Sequence, residues 1–366
     1  SHPSLLFAVA WWFGGAVGSG GLVEAVCEVG GVIRDRKGVN LPDTHISLPS
    51  LTEKDFTDLY WAMENELDYV CVSFVRSAGD IQQVLDRIAA AGSSLRVIAK
   101  IEKREALDQL EQIVRLSHGV MVARGDLGVE MPMHEVPLLQ KEITQRCQRL
   151  GKPCIIATQM LQSMVEQPTA TRAEVNDVAN AVLDSTDAVM LSAETSVGKY
   201  PVEAVELIAR IGVTTEAYLD RMGRHVGAMN VHEAQLPITS GIASGVSRLV
   251  AELPVKLVAV WTLTGNTVRL LSKNRLSVPI LGLTSDLRTL RRMALHYGVR
   301  PVFGHPSSSF SRLIAETNDI VLRSGYAVEG DWIVVVVPRA QDTRQTSSIF
   351  IHPLGPASLE MGVSIS

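Results

Sequence analysis

Cysteine is scarce in this sequence. Its four copies, Cys27, Cys71, Cys147 and Cys154, are scattered through 366 residues. None forms a C-x-x-C pair, so a zinc site is not expected. Dispersed thiols in a chain of this length fit a reducing cytosol and therefore a cytoplasmic protein. An excess of basic residues is also lacking. Lys and Arg total 34 against 39 Asp and Glu, for a net charge of −5, and that balance gives no reason to expect nucleic acid as a partner. No membrane partner is expected either. The apolar run Leu5–Val17 has 13 residues, fewer than the roughly 20 a spanning helix needs. No basic region precedes it and no clear cleavage site follows. The sequence offers no physical account of that run.

What the chain does have is a globular composition, 46% hydrophobic and 20% charged, and enough length for two domains and a substantial core. The most informative stretch is Arg96–Gln159. It holds three apolar, β-prone runs, each closed by a polar cluster. The first ends in Lys100 and Glu102, the second in Arg124 and Asp126, and the third in Thr158 and Gln159. Runs of this kind suit strands buried on both faces. A helix-period segment follows each, and strand–helix repetition reads as parallel βα units. Such folds bind ligands at the carboxyl ends of their strands, where all six residues fall. Two carboxylates, two cations and a hydroxyl on neighbouring strand ends suit a divalent metal and an anionic substrate. A salt-bridged barrel rim would account for one such cluster, but three in register point to a site.

The rest of the chain extends the pattern. Leu22–Arg36 reads as a short hairpin, and residues 37–42 as a turn-rich entry. Thr52 and Asp55 form a capping pair for a helix with Phe56, Leu59, Tyr60 and Met63 on one face. Strand Tyr69–Val75 follows, then a helix with Ile81, Val84, Leu85 and Ile88 inward. Further helices are expected over 104–116, over 138–150 and from the capping box at Thr171 and Glu174, with a turn-containing insert over 125–137. Strand Ala188–Leu191 leads to Ser192 and Glu194, and Pro201 opens the last helix of the region. That makes five βα units between about 69 and 218, too few for a closed eight-unit barrel of about 250 residues. Residues 219–237 read as a linker. Beyond it come helix 238–252, strand Lys256–Trp261, a Thr262–Thr267 turn opening a helix, strand Val278–Leu283, helix 286–297, strand Val299–Phe303, helix 308–317, strand Trp332–Val337 and an edge strand Ser348–His352. The expected fold is α/β: a partial TIM (β/α)8-type barrel followed by a smaller α/β domain. The expected divisions are 1–36, 37–222 and 235–354.

At these residues the chain closely resembles the pyruvate kinase family. The motifs are VIAKIEKREAL at 97–107, KGVNLP at 37–42, MVARGDLGVE at 121–130, ATQML at 157–161, PTATRAEVNDVANAVLD at 168–184 and MLSAET at 190–195. The resemblance runs from about Leu22 to the C-terminus and is strongest over 37–218. It implies phosphoryl transfer between phosphoenolpyruvate and ADP, a glycolytic reaction giving pyruvate and ATP, in a usually tetrameric homo-oligomer that needs Mg²⁺ (or Mn²⁺) and K⁺. It places Glu102 and Asp126 as metal ligands and Lys100 beside the transferring phosphoryl group. Ala123, Arg124, Gly125 and Asp126 fall at the substrate carboxylate, Arg124 either touching substrate or supporting the two metal carboxylates. Thr158 falls beside the carbon protonated in forming pyruvate, with Ser192 and Glu194 supporting that relay. Thr262, Thr264, Gly265, Asn266 and Thr267 resemble a loop that binds a phosphorylated effector; a plain capped turn is the alternative.

The chain also departs from the family's pattern. Ala193 replaces a glycine. The family's first three barrel strands, which carry the K⁺ ligands and much of the nucleotide contact, have no counterpart here, and Leu22–Arg36 resembles only the last piece of an inserted lid domain. The expectations are therefore an incomplete barrel, with Leu5–Val17 partly covering its opening, and slow or no turnover by the isolated chain. Besides a pyruvate kinase-like phosphotransferase, two readings stay open: a non-catalytic module of that family, and a metal-dependent aldolase or lyase of the pyruvate-enolate type. The order of the motifs argues against the last.

Overall fold

The structure is a computed structural model, and it describes residues 50–222, 236–338 and 346–355. Readings that fall on 1–49, the hairpin, the 37–42 entry and Leu5–Val17 among them, lie outside the described residues, as do 223–235 of the linker. The first domain is built on five parallel strands in sequential order: β1 Tyr69–Val72, β2 Arg96–Ile101, β3 Gly119–Ala123, β4 Cys154–Ala157 and β5 Ala188–Met190. Each is followed by helix, as the alternating pattern requires, and the result is a barrel-like partial β/α sheet.

Three of its helices start from reciprocal capping boxes, Thr52 with Asp55, Ser77 with Asp80 and Thr171 with Glu174. Each box satisfies two amide groups that the first turn would leave unpaired. Helix 104–116 is not continuous. It breaks into Glu105–Asp108 and Leu110–Leu116 at Gln109, whose φ of −116° leaves the helical range and whose Oε1 accepts from the Ala78 amide at 3.0 Å. The expected insert after β3 is also helical from its first residue, as Arg124–Glu130, because Leu127 and Gly128 are buried there.

The period-2 alternation of the strands separates two cores. Val97, Ala99 and Ile101 of β2, Val120 and Val122 of β3, and Cys154 and Ile156 of β4 pack on the helices. Ile98, Met121, Ile155 and Ala157 face the interior.

The second domain is a doubly wound sheet in the order β10–β9–β6–β7–β8. Its strands are β6 Val255–Trp261, β7 Ile280–Thr284, β8 Val299–Phe303, β9 Trp332–Pro338 and an antiparallel edge strand β10 Thr346–Pro353. One face buries Val258, Val260, Val334 and Val336, and the other buries Leu257, Ala259, Trp261, Ile333 and Val335. The helix expected over 308–317 runs on as Phe310–Ser324 and stops at Gly325, whose φ of 73° suits a residue without Cβ. The helix expected over 286–297 is shorter, Leu287–Met293.

The two domains meet at the amino-terminal ends of the barrel strands. Asp187, just before β5, is fully buried and pairs with the equally buried Lys273, while Arg275 approaches it at 3.8 Å. Asp187 also accepts the Cys154 amide at 2.8 Å. Gln148 donates to the Lys273 carbonyl, Arg269 to the Gly151 carbonyl and Arg275 to the Ser185 carbonyl. Arg291 reaches Asp68 at 2.6 Å and Arg292 donates to the Ser94 carbonyl at 2.5 Å. Burial pushes the Asp187 carboxyl up, but Lys273 and Arg275 outweigh it and hold the group below its ordinary value.

Asp187→Asn leaves Lys273 buried without its counter-charge, and the expected cost is about 3–5 kcal/mol in urea unfolding. Replacing both residues by apolar ones of similar size is expected to recover most of it. Two interface histidines set a pH window. His118 and His296 are each pushed down to about 3, by burial before any neighbouring charge. In the unfolded chain they titrate near 6.5, so folding carries no penalty from them above that pH and a growing one as the pH falls from about 6.5 towards 3. The urea midpoint should decline across that window, and the decline should shrink in His296→Gln.

Candidate active site

The same alternation that buries Ile98 carries Lys100 and Glu102 onto the interior face at the end of β2. Glu102 is 1% exposed. Lys100 Nζ stands 2.6 Å from Glu102 Oε1 and donates to Ser73 Oγ at 3.0 Å. Glu102 Oε2 accepts the Phe74 amide at 2.7 Å, a contact presented by a left-handed residue, with φ of 52° at Phe74. Oε1 thus has the Lys100 ammonium as its partner and Oε2 the Phe74 amide.

Asp126, in the first turn of helix Arg124–Glu130, lies beside it. Its carboxyl is pushed above the ordinary value, first by burial and then by the Glu102 charge and a shared hydrogen bond. Two neighbouring carboxyl groups, one of them buried beside Lys100, fit a hard divalent cation. Mg²⁺ typically takes one or two protein carboxylates and fills its shell with water and substrate oxygens. Among the described residues no group of three or more His, Cys, Asp or Glu side chains that could hold a metal ion forms.

Thr158 and Gln159 follow β4, and both are left-handed, with φ of 69° and 55°. For residues other than glycine each such conformation costs about 1–3 kcal/mol and persists only where surroundings enforce it. Here Thr158 Oγ1 accepts the Gly125 amide at 2.7 Å and donates to the Ala157 carbonyl at 2.6 Å. One of the amides expected at the substrate carboxylate is thus engaged by Thr158. Arg124 supplies the outer support. Its Nη2 donates to the Thr158 carbonyl at 2.9 Å, and its Nη1 lies 2.6 Å from both carboxylate oxygens of Asp177. The contacts of the guanidinium are with Asp177 and the turn.

Glu194 is 1% exposed. It accepts the Ser192 amide at 2.8 Å and the Leu161 amide at 3.1 Å, tying the end of β5 to the segment after Thr158. Ala123 precedes the helix Arg124–Glu130 at its N-cap. The structure therefore brings Lys100, Glu102 and Asp126 into one group and Gly125 and Thr158 into a second beside it. Residue-by-residue reading passed over Phe74 and Asp177. Asp177 lies inside the 168–184 motif, but nothing local marks it as the partner of a residue 53 positions earlier.

The Thr262–Thr267 loop lies elsewhere, against the amino-terminal ends of the barrel strands. Thr262 Oγ1 accepts the Gly265 amide at 3.0 Å, Gly265 has φ of 79°, and helix Asn266–Lys273 starts there. Arg96 donates to the Thr264 carbonyl at 3.3 Å and Thr289 to the Leu263 carbonyl at 2.9 Å. Asn266 Oδ1 accepts from Arg269 at 3.4 Å, and Thr267 is buried. These are the contacts of a capped turn wedged between domains.

A strand-end carboxylate pair with an adjacent lysine sits on a parallel, barrel-like β/α sheet joined to a second α/β domain. Family comparison agrees: residues 16–205 match the family described as "Pyruvate kinase, barrel domain", and residues 240–352 match "Pyruvate kinase, alpha/beta domain". The chain belongs to the pyruvate kinase family. It is 38% identical over 338 residues to a pyruvate kinase of Sporosarcina psychrophila, covering 92% of this chain and 57% of that protein. It is 39% identical to one of Geobacillus stearothermophilus, covering 91% and 57%, and 40% identical to pyruvate kinase 2 of Synechocystis sp., covering 92% and 56%. The chain thus spans a little over half the length of these curated relatives.

Glu102→Gln removes one charge of the carboxylate pair. The expected result is weaker Mg²⁺ binding in calorimetric titration and an Asp126 carboxyl that moves back down towards its ordinary value, read by carbon-detected NMR. An unchanged Mg²⁺ affinity would remove Glu102 from the ligand set.

Proposed function

We propose that this chain takes part in the pyruvate kinase reaction, moving a phosphoryl group from phosphoenolpyruvate to ADP and yielding pyruvate and ATP. The observation that carries the reading is the Lys100 ammonium 2.6 Å from a buried Glu102, with Asp126 raised by that same carboxylate. Glu102 and Asp126 would hold Mg²⁺ or Mn²⁺, and a bound ion would neutralise charge on the phosphoryl and enolate oxygens. K⁺ belongs to the reaction as the family runs it, and this reading assigns it no ligand.

In the transfer, a terminal β-phosphate oxygen of ADP bonds to phosphorus as the bond from phosphorus to the enol oxygen breaks. The enolate left behind takes one proton at its methylene carbon and becomes pyruvate. Lys100, fixed by Ser73 and Glu102, offsets the charge that builds on the transferring group. Ala123, Gly125 and Asp126 line the carboxylate end of the substrate, and Arg124 acts there by holding the turn. Thr158 stands at the carbon that is protonated, and Ser192 and Glu194 hold the neighbouring segment in place. The working unit is a homo-oligomer in the cytoplasm. Thr262, Thr264, Gly265, Asn266 and Thr267 would meet a phosphorylated effector only if the interdomain loop opens.

A coupled assay of pyruvate formation tests the reading. Slow Mg²⁺-dependent product from phosphoenolpyruvate and ADP is expected of the isolated chain, with a further loss of about 10²–10³-fold in Lys100→Met. Mg²⁺ binding without any product would favour the non-catalytic module.

A further inference from the structure

Two consecutive left-handed residues that are not glycine, Thr158 and Gln159, do not hold that shape unaided, and the first is β-branched, for which the conformation is a genuine outlier. What holds them reaches in from another element. Asp177 sits in helix Arg172–Leu183, and both its carboxylate oxygens lie 2.6 Å from Arg124 Nη1. The other arm of the same guanidinium donates to the Thr158 carbonyl at 2.9 Å, lies 3.5 Å from the Gln159 carbonyl and touches Met160 Sδ at 2.9 Å. The arginine side chain is 11% exposed and the aspartate 37%, so the pair is shielded on the arginine side and reachable from the aspartate side. Gln140 stands 3.5 Å from Nη1. The carboxylate thus fixes the guanidinium, the guanidinium fixes the backbone of the turn, and the turn fixes the hydroxyl that accepts the Gly125 amide at 2.7 Å.

We propose that Asp177 is a positioning residue for the proton-transfer half of the reaction, holding the Thr158 hydroxyl in place through Arg124. This rests on the role given to Thr158 above. Neutralising Asp177 removes a charge-assisted bond and frees the guanidinium to swing, so the turn relaxes towards ordinary φ and the hydroxyl leaves Gly125. Metal binding at Glu102 and Asp126 has no part in that chain of contacts.

Two measurements on the full chain test it. The first needs no substrate: amide hydrogen exchange at Gly125 in the metal-free protein. Asp177→Asn is expected to speed it by at least about tenfold while the amides of β3 and β4 keep their protection, and Asp177→Glu is expected to restore much of it. The second is exchange of the pyruvate methyl protons with deuterium oxide in the presence of Mg²⁺, followed by proton NMR, which reports proton transfer without phosphoryl transfer. In Asp177→Asn its rate is expected to fall about 10- to 100-fold, with pyruvate KM and Mg²⁺ affinity within about twofold of the parent.

An unchanged Gly125 amide in Asp177→Asn overturns the proposal. So does a loss of protection throughout β3 and β4, which would make Asp177 a general fold residue. If the parent chain itself exchanges no methyl proton, the role of Thr158 fails, and the proposal fails with it however Gly125 behaves.

Discussion

Burying a carboxylate is the constraint on which the barrel's working end depends. Glu102 is carried inward by the alternation of β2 and is almost without exposure. An ionised carboxylate in such a place must be paired or hydrogen-bonded. The surroundings of Glu102 answer that need piece by piece: the Lys100 ammonium, the Phe74 amide turned towards it by a left-handed backbone, and Ser73 holding the lysine. The neighbouring Asp126 brings a second carboxyl group, pushed above its ordinary value by burial and by the Glu102 charge. The fold accepts this local cost because hydrophobic packing on the outer face of the same strand, at Val97, Ala99 and Ile101, is complete. The paired carboxyl groups are what a cation would use.

Much of this was readable from residue order. Lys100 and Glu102 share a parity with Ile98, and a strand has only two faces, so their position followed from the strand itself. The capping boxes at Thr52 and Thr171 were equally plain, because both partners lie within one turn. Breaks and supports made across the chain were not. Nothing near Gln109 announces that its side chain will accept the Ala78 amide and interrupt a helix. The left-handed geometry of Thr158 contradicts its β-branched side chain, and only the distant pair Arg124 and Asp177 makes sense of it. The Thr262–Thr267 loop has the composition of an anion-binding turn. Its tertiary position, against Arg96 and Thr289, directs two of its carbonyls to donors from elsewhere in the chain. Local chemistry sets what a segment can do, and contacts far along the chain decide which option it takes.

The second domain and the candidate site residues occupy opposite ends of the same strands. The interface is built from residues that precede strands: Asp68 before β1, Ser94 before β2, Gly151 before β4, and Ser185 and Asp187 before β5. It is held by cations, most of them offered to carbonyls, with one buried carboxylate at its centre. Charges taken so far out of water tolerate little displacement, so the two bodies have a defined seat against each other.

That seat has a mechanical consequence for β5. The strand is three residues long, Ala188–Met190, or about 10 Å at the usual rise per residue. Asp187 is anchored to Lys273 at one end, and Ser192 with Glu194 is moored to Leu161 at the other. An extended backbone has little stretch, so the two anchors are separated by a nearly fixed length. A tilt of the second domain that draws on Asp187 therefore loads a strand held in register with β4 at Ala188–Met190, with Ser192 only two residues beyond its end.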